Sequence, residues 1–498
     1  MNIKHFIIVL VFFQILSKNV TGFESEFTRP YLHFSPPNGW MNDPNGLVYL
    51  DGEYHLFYQY NPDSTVWGPM HWGHAVSRDL IHWEQLPIAL SPDSLGTIFS
   101  GSVVFDKENT SGLGTKDNPP LVAIFTHDGR FINKPEREKL QEQSLAFSND
   151  KGRTWTKYKG NPVLHSLNID FRDPKVIWHE PTQKWVMTLA AGHKIMFFNS
   201  PNLKDWSLTG TFKYADTSLG VYECPDLFPM TVNANESKWV LLTSYTSGTP
   251  SGSCGTSYIV GDFDGKTFSS VNANPSWFDY GADNYAGVTF SNIPISDGRR
   301  LFIGWMSNWW YADKLPATTW RGNMTLPREL KLLKSNGHYL LNTFPVGELR
   351  NFHCDSATYT IHDFNRANLE KLLHSGCFAV DVEIKNAVDS LEIELSNTQN
   401  ESVMVSFKNH KLILNRKNSG KEKISEYFQK DQSMPISKFF PLKLHLVYDR
   451  TTLEVFANDG EVSMAEMVFP QTPYNKVQIT GNKKQAMNGI VKIFNLKK

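Results

Sequence analysis

An excess of either charge is missing from this chain: 49 Lys and Arg face 50 Asp and Glu, a formal net charge of −1. Such a balance leaves no electrostatic footprint for nucleic acid or an anionic membrane surface. Cysteine is scarce. The four residues Cys224, Cys254, Cys354 and Cys377 have spacings that exclude a zinc ribbon and permit three full pairings, among which the sequence does not choose. Cys354 and Cys377 share the C-terminal region and could bridge in an oxidising compartment, whereas Cys224 is expected to stay a buried thiol. The 16 His show no ligand spacing, and nothing marks a nucleotide site, so no metal or cofactor is expected. Long apolar runs are absent after Phe6–Leu16. That run follows Lys4 and leads into small or polar residues through Gly22, the pattern of a secretory signal too short to span a bilayer. Residues 1–22 are therefore expected to be removed near Thr21 or Gly22, leaving a secreted, soluble protein with no membrane segment. Secretion makes the Asn-x-Ser/Thr triplets at Asn109, Asn235, Asn323 and Asn400 candidate glycan acceptors.

Sustained 3.6-residue periodicity is also missing. In its place stand short aromatic and β-branched runs bounded by turn residues, among them Tyr54–Tyr58, Leu121–Phe125, Trp185–Leu189 and Trp239–Thr243, which is the signature of an all-β chain. A length of 498 residues implies two to four domains. Ser77-Arg78-Asp79-Leu80-Ile81-His82-Trp83 is echoed by Ser200–Trp206, by a one-residue-longer version over Ser148–Trp155, and more faintly by Asp262–Phe268. Echoes roughly 50–70 residues apart suit the blades of a propeller, each four-stranded with one strand facing a central channel. Repeats beginning near Asp43, Ser100, Asp173, Glu223 and Asp283 give about five blades over residues 23–345. Beyond about residue 340 Trp disappears and polar/apolar alternation sets in, as in Ala379–Ile384, Leu391–Leu395, Leu444–Tyr448 and Leu453–Phe456. Alternation with turn signals predicts a β-sandwich over residues 355–498, entered through a short helix over Asn365–Leu373.

Three carboxylates stand among aromatic, Pro and Asn neighbours rather than in solvated charge. They are Asp43 in Trp40-Met41-Asn42-Asp43-Pro44-Asn45-Gly46, Asp173 in Phe171-Arg172-Asp173-Pro174, and Glu223 in Tyr222-Glu223-Cys224-Pro225-Asp226. Carboxyls in such settings can have their pKa values pulled apart, and one protonated beside one ionised acid is what cleavage of a glycosidic bond requires. On a propeller, acids distant in sequence converge in one pocket. The competing structural readings are an Asx-turn at Asp43, a strand-end surface Glu at 223, and an ion pair at Arg172-Asp173.

In this order, the three motifs resemble glycoside hydrolase family 32, the invertases, levanases, inulinases and related β-fructosidases. The resemblance runs from Tyr31 to the C-terminus and is densest before residue 330. It implies a five-bladed propeller that carries the site, followed by a β-sandwich. It also implies roles: Asp43 as nucleophile, its pKa lowered by Asn42 and Asn45; Glu223 as general acid/base, its pKa raised; Asp173 as transition-state stabiliser; Arg172 as the group that orients the acids. Gln59, Trp67, Phe99, Ser100 and Asp283 match the family's fructose pocket, and Trp40 and Trp67 are implied as apolar walls. Asn284 stands where members often carry Phe. The stretch Gly304–Ala312 with Trp320-Arg321-Gly322 is similar to the levanase and exo-inulinase branch, with Trp309 or Trp310 on the leaving-group side. The implied activity is a secreted retaining β-fructofuranosidase releasing terminal fructose from sucrose, inulin or levan, with carboxyl groups about 5–5.5 Å apart. Two other readings stay open: a fructosyltransferase, and a non-catalytic sugar-binding propeller. The oligomeric state is not legible.

Overall fold

In the computed structural model the chain is almost entirely strand. Described are residues 28–497, apart from 133–136, 138–139, 215–217, 318, 362–366, 369–372, 374–375, 421–422, 437–439 and 482–486. The expected signal segment lies outside the described residues. So does most of the helix expected over 365–373, within which Ala367–Asn368 form a short strand instead.

Five antiparallel sheets of four or five strands follow one another in chain order. Their first strands, Gly39–Leu50, Thr97–Phe105, Phe171–His179, Tyr222–Asn233 and Tyr285–Thr289, pack side by side around a common axis, making a five-bladed β-propeller. Second strands are covered on both faces and so read as near-continuous apolar runs. Leu121–Asp128 is buried at every position. The outermost strand of blade 1, Trp83–Leu90, is largely exposed. The ring closes between distant segments: Trp320-Arg321 pairs in parallel with Gly39-Trp40 at the start of blade 1.

The Ser-x-Asp echoes are the turns from third to fourth strand. Asp79 Oδ1 accepts the backbone N–H groups of Ile81 and His82, Asp150 Oδ1 that of Thr154, Asn202 Oδ1 those of Lys204 and Asp205, and Asp264 Oδ1 those of Lys266 and Thr267. A short carbonyl-bearing side chain mimics a backbone turn here and tolerates the left-handed residue that follows, as at Leu80 (φ 67°) and Leu203 (φ 64°).

Each of the five inner strands also carries a two-for-one β-bulge at the same height. Asn42-Asp43 oppose Gln59, Phe99-Ser100 oppose Thr126, Asp173-Pro174 oppose Leu189, Cys224-Pro225 oppose Thr243, and Ala286-Gly287 oppose Gly304. A bulge bends its strand and re-aims the side chains beside it. Asp173 (φ 63°), Cys224 (φ 45°) and Ala286 (φ 53°) lie in the left-handed region, at about 1–2 kcal/mol each for a residue with a Cβ. The Asx-turn reading of Asp43 is thereby corrected: Asn42-Asp43-Pro44 is a bulge inside a twelve-residue strand.

The last blade ends at Pro345, and a 3₁₀ turn over Gly347–Phe352 leads to His353, the first residue of a sandwich sheet. Two six-stranded sheets face each other there. Alternation along Ser390–Ser396 and Ser402–Lys408 sends Leu391, Ile393, Leu395, Val403, Val405 and Phe407 into a shared core. All four cysteines are thiols without a disulfide. The Cys354–Cys377 bridge that the sequence left open does not form, because strand Gly489–Leu496 runs between the two strands that carry them, pairing with both. Two strand spacings exceed the reach of a disulfide.

Buried ion networks tie the sandwich to the propeller. Arg328 is held by Glu454 (2.7 Å) and Asp279 (2.9 Å), and His33 by Glu454 and Asp449. Burial alone would lower the His33 pKa, but the two carboxylates raise it to about 9. Arg416 of the sandwich meets Asp283 and Glu466, all three side chains fully buried. Charges so placed are tolerable only when paired and hydrogen-bonded. Asn323 is 0% exposed, so the folded chain leaves no room for a glycan there. Asn235 and Asn400 are exposed, and Asn109 is half-buried with its amide nitrogen donating to Gly114 O.

Candidate active site

The bulges of blades 1, 3 and 4 bring Asp43, Asp173 and Glu223 to one pocket of about 770 Å³, which Asn42, Gln59, Trp67, Phe99, Ser100, Arg172 and Trp309 also line. Asp43 sits at its floor. One oxygen accepts from Asn42 Nδ2 (2.9 Å), and the other from Ser100 Oγ (2.7 Å) and Cys224 Sγ (3.5 Å). Trp40 Nε1 fixes Asn42 by donating to its Oδ1 (2.8 Å). With its amide nitrogen turned to Ser100, Asn45 donates to Ser100 Oγ (3.2 Å) and accepts from Gln59. It therefore supports the serine rather than the acid.

Glu223 is clamped at both oxygens. Oε1 accepts from Arg172 Nη2 (2.8 Å) and Nε (3.2 Å), and Oε2 accepts from the Tyr285 hydroxyl. Arg172 also reaches Asp170 (2.6 Å) and lies 3.9 Å from Asp173. Asp173 accepts from the backbone N–H of Cys224 (3.0 Å), and its own N–H donates to Thr126 Oγ1 (3.1 Å). Cys224 thus touches two acids, one through its backbone and one through its thiol.

Burial dominates the electrostatics. It raises the Asp173 pKa to about 7, against the pull of Arg172 and with the help of Glu223 and Asp43. It also holds Asp43 above the usual carboxylate range, reinforced by Glu223 and opposed by hydrogen bonds from Asn42, Ser100 and Cys224. The expectation of a lowered Asp43 pKa is corrected for this reason: desolvating a carboxylate outweighs the donors around it.

Other expectations are redirected. Asp283 does not line the pocket. It is fully buried, accepts from Tyr311 Oη (2.6 Å) and the Met467 N–H (2.8 Å), and pairs with Arg416. Both of its oxygens are committed to the domain junction. Trp40 is 1% exposed and stands behind Trp309, their rings stacked 6.0 Å apart; it backs the wall rather than forming it. Trp309 faces the pocket, while Trp310 packs edge-on against Tyr427 of the sandwich and donates to Thr246 O. Gln59 Nε2 donates to Ile98 O, fixing it beside the Phe99-Ser100 bulge.

Tyr285 is the partner of Glu223 that reading the sequence missed. Its signal was positional: counted from the bulges, Arg172, Glu223 and Tyr285 occupy the same place on three successive inner strands, and they hydrogen-bond in that order.

Two family profiles match the chain, the N-terminal domain of glycosyl hydrolases family 32 over residues 33–343 and the C-terminal domain over residues 348–495. The chain is 44% identical to a levanase of Bacillus subtilis over 96% of its own length and 71% of that protein's, and 35% identical to an extracellular exo-inulinase of Aspergillus niger over 89% and 90%. Among solved structures, exo-inulinase from Aspergillus awamori superposes with a TM-score of 0.86 at 32% identity, covering 95% of this chain and 99% of that one. A fructofuranosidase from Schwanniomyces occidentalis complexed with fructosylnystose gives 0.87 at 31%, covering 95% and 98%. Relatives of this extent and both matched domains place the propeller pocket within a known lineage: the chain belongs to glycoside hydrolase family 32 and is a glycoside hydrolase.

Proposed function

We propose that the protein is a secreted, retaining β-fructofuranosidase that removes terminal fructose from sucrose and from inulin- or levan-type fructans. The observation that carries this reading is the convergence of Asp43, Asp173 and Glu223, joined through Cys224 and Arg172 at one pocket. In the proposed reaction Asp43 attacks the fructosyl anomeric carbon while Glu223 gives its proton to the leaving oxygen. The C–O bond to the leaving sugar breaks as the bond to Asp43 forms. Water then attacks the fructosyl-enzyme, losing its proton to Glu223 and releasing Asp43 and fructose with retained configuration. Arg172 and Tyr285 hold Glu223 in one rotamer throughout. Asp173 takes fructose hydroxyls, contacts that tighten as positive charge develops on the ring. The names of the relatives, levanase, exo-inulinase and invertase, support the substrate class. The word extracellular in several of those names supports secretion.

The test is sugar release from sucrose, inulin and levan, with wild type beside Asp43→Ala and Glu223→Gln. Activity lost in both variants, with β-fructose as first product, supports the reading. Folded wild type inactive on all three sinks it, and oligosaccharides in place of free fructose at high sucrose turn it into a transferase.

A further inference from the structure

The mouth of the catalytic pocket on the blade 3 side is formed by Ser166-Leu167-Asn168-Ile169-Asp170, the segment that leads into the inner strand at Phe171. Leu167 is 85% exposed and Ile169 82%. Among the described residues only Ile295 bares a larger fraction of a large apolar side chain. Two such side chains, two residues apart and at the mouth of a pocket, mark a contact surface more than chance exposure does. Hydrogen bonds hold the segment. Asn168 Nδ2 donates to Ser166 Oγ (2.6 Å), Lys194 Nζ donates to Asn168 Oδ1 (3.4 Å), and the N–H of Gly192 donates to Asp170 O (3.4 Å). At the same mouth Phe131, 53% exposed, meets the edge of the Trp67 ring at 5.3 Å.

Chemistry fixes which part of a substrate reaches this lip. The leaving group must lie on the side of the residue that protonates it, Glu223. Glu223 is bound to Arg172, and Arg172 to Asp170, the last residue of the lip. Asp170 of the lip and Glu223 thus share one guanidinium, which sets the lip beside the acid that protonates the leaving group. The leaving group of sucrose is a single ring. That of a fructan is a further run of fructosyl units, which must continue outward over whatever forms the mouth. Leu167 and Ile169 carry no polar atom to read hydroxyl positions, but they can cover the C–H faces of successive sugars.

Resting on the β-fructofuranosidase reading, we propose that Leu167 and Ile169 form an apolar platform for the fructosyl units beyond the leaving ring, making the enzyme favour fructan over sucrose. The platform is indifferent to linkage, so inulin and levan gain alike. The occupant is the substrate chain because the surface is continuous with the acid-bearing pocket.

The experiment compares kcat/KM on sucrose, inulin and levan for wild type, for Leu167→Ser/Ile169→Ser, and for the conservative Leu167→Ile/Ile169→Leu, with the mass of each protein in solution measured by light scattering. The expected result is a fall in the fructan-to-sucrose ratio of roughly five- to tenfold for the Ser pair, carried by KM, and a ratio restored in the conservative pair. An unchanged ratio overturns the platform, whether all substrates fall together or none does. A wild-type dimer that becomes monomeric in the Ser pair with its ratio unmoved overturns it in favour of a second copy of this chain covering the lip. Wild type inactive on all three substrates fails the fructosidase reading itself, a result distinct from active wild type whose ratio does not move.

Discussion

The Tyr285 hydroxyl donates to Oε2 of Glu223, the oxygen that Arg172 leaves open. With both oxygens engaged by different neighbours, the carboxyl cannot rotate without breaking a half-buried hydrogen bond. Tyr285→Phe removes one clamp and leaves the ring packing. A hydrogen bond to a charged group is worth about 1.5–3 kcal/mol, so kcat is expected to fall roughly 10- to 100-fold. KM and melting temperature are expected to change little. Steady-state kinetics beside a thermal melt check this, and a rise in KM with kcat unchanged would assign Tyr285 to substrate recognition.

Asp173 makes stability depend on pH. Its folded pKa of about 7 lies above the unfolded value of about 3.9. The native state therefore binds the proton more tightly, and this contribution is fully present below about pH 4 and lost as pH rises through about 7. Asp43, raised in the same direction, adds to the slope. Melting temperature measured from pH 4 to 8 should decline more steeply in wild type than in Asp173→Asn, which cannot titrate. Parallel curves would mean that Asp173 is ionised throughout.

The Asp283–Arg416 pair predicts a non-additive cycle. Removing one partner strands a buried charge, at about 3–5 kcal/mol. Asp283→Asn and Arg416→Met should each lower the unfolding midpoint, and the double variant should be less unstable than the sum of the two. Chemical denaturation of the four proteins measures the coupling. Additive losses would show that Glu466 and Tyr311 satisfy Arg416 without Asp283.

Thiol titration of the denatured protein, unreduced, should find four reactive cysteines, and a reductant should leave the melting temperature unchanged. In a glycosylating host, peptide mass mapping should find Asn323 bare, because the transferase cannot reach a 0% exposed side chain in the folded chain. Finding carbohydrate there would mean that modification precedes closure of blade 5.

What could be read from the sequence was what local physics encodes. The turns at Asp79, Asp150, Asn202 and Asp264 are local, since each side chain bonds the backbone two to four residues on, and their spacing exposed the blades. The three acids were legible because their neighbours are too apolar for ordinary surface carboxylates. Long-range partners were not legible. Asp283 sits in the same kind of setting as the three pocket acids, yet its cation lies 133 residues away in another sheet system. Trp309 and Trp310 are adjacent and chemically alike; only the position of Tyr427 decides that one faces the pocket and the other the sandwich. The bulges were hidden because an extra residue in a strand changes register without changing composition.

The parallel pairing of Trp320-Arg321 with Gly39-Trp40 sets an order of events during synthesis. By residue 223 the emerging polypeptide already holds every acid of the pocket, but the blade 1 strand bearing Asp43 gains its flanking partner only once residue 320 has been made. His33, ahead of that strand, waits longer still for Asp449 and Glu454. Contacts this remote in sequence make folding slow, and hydrolytic competence should appear late, as the ribosome finishes the chain.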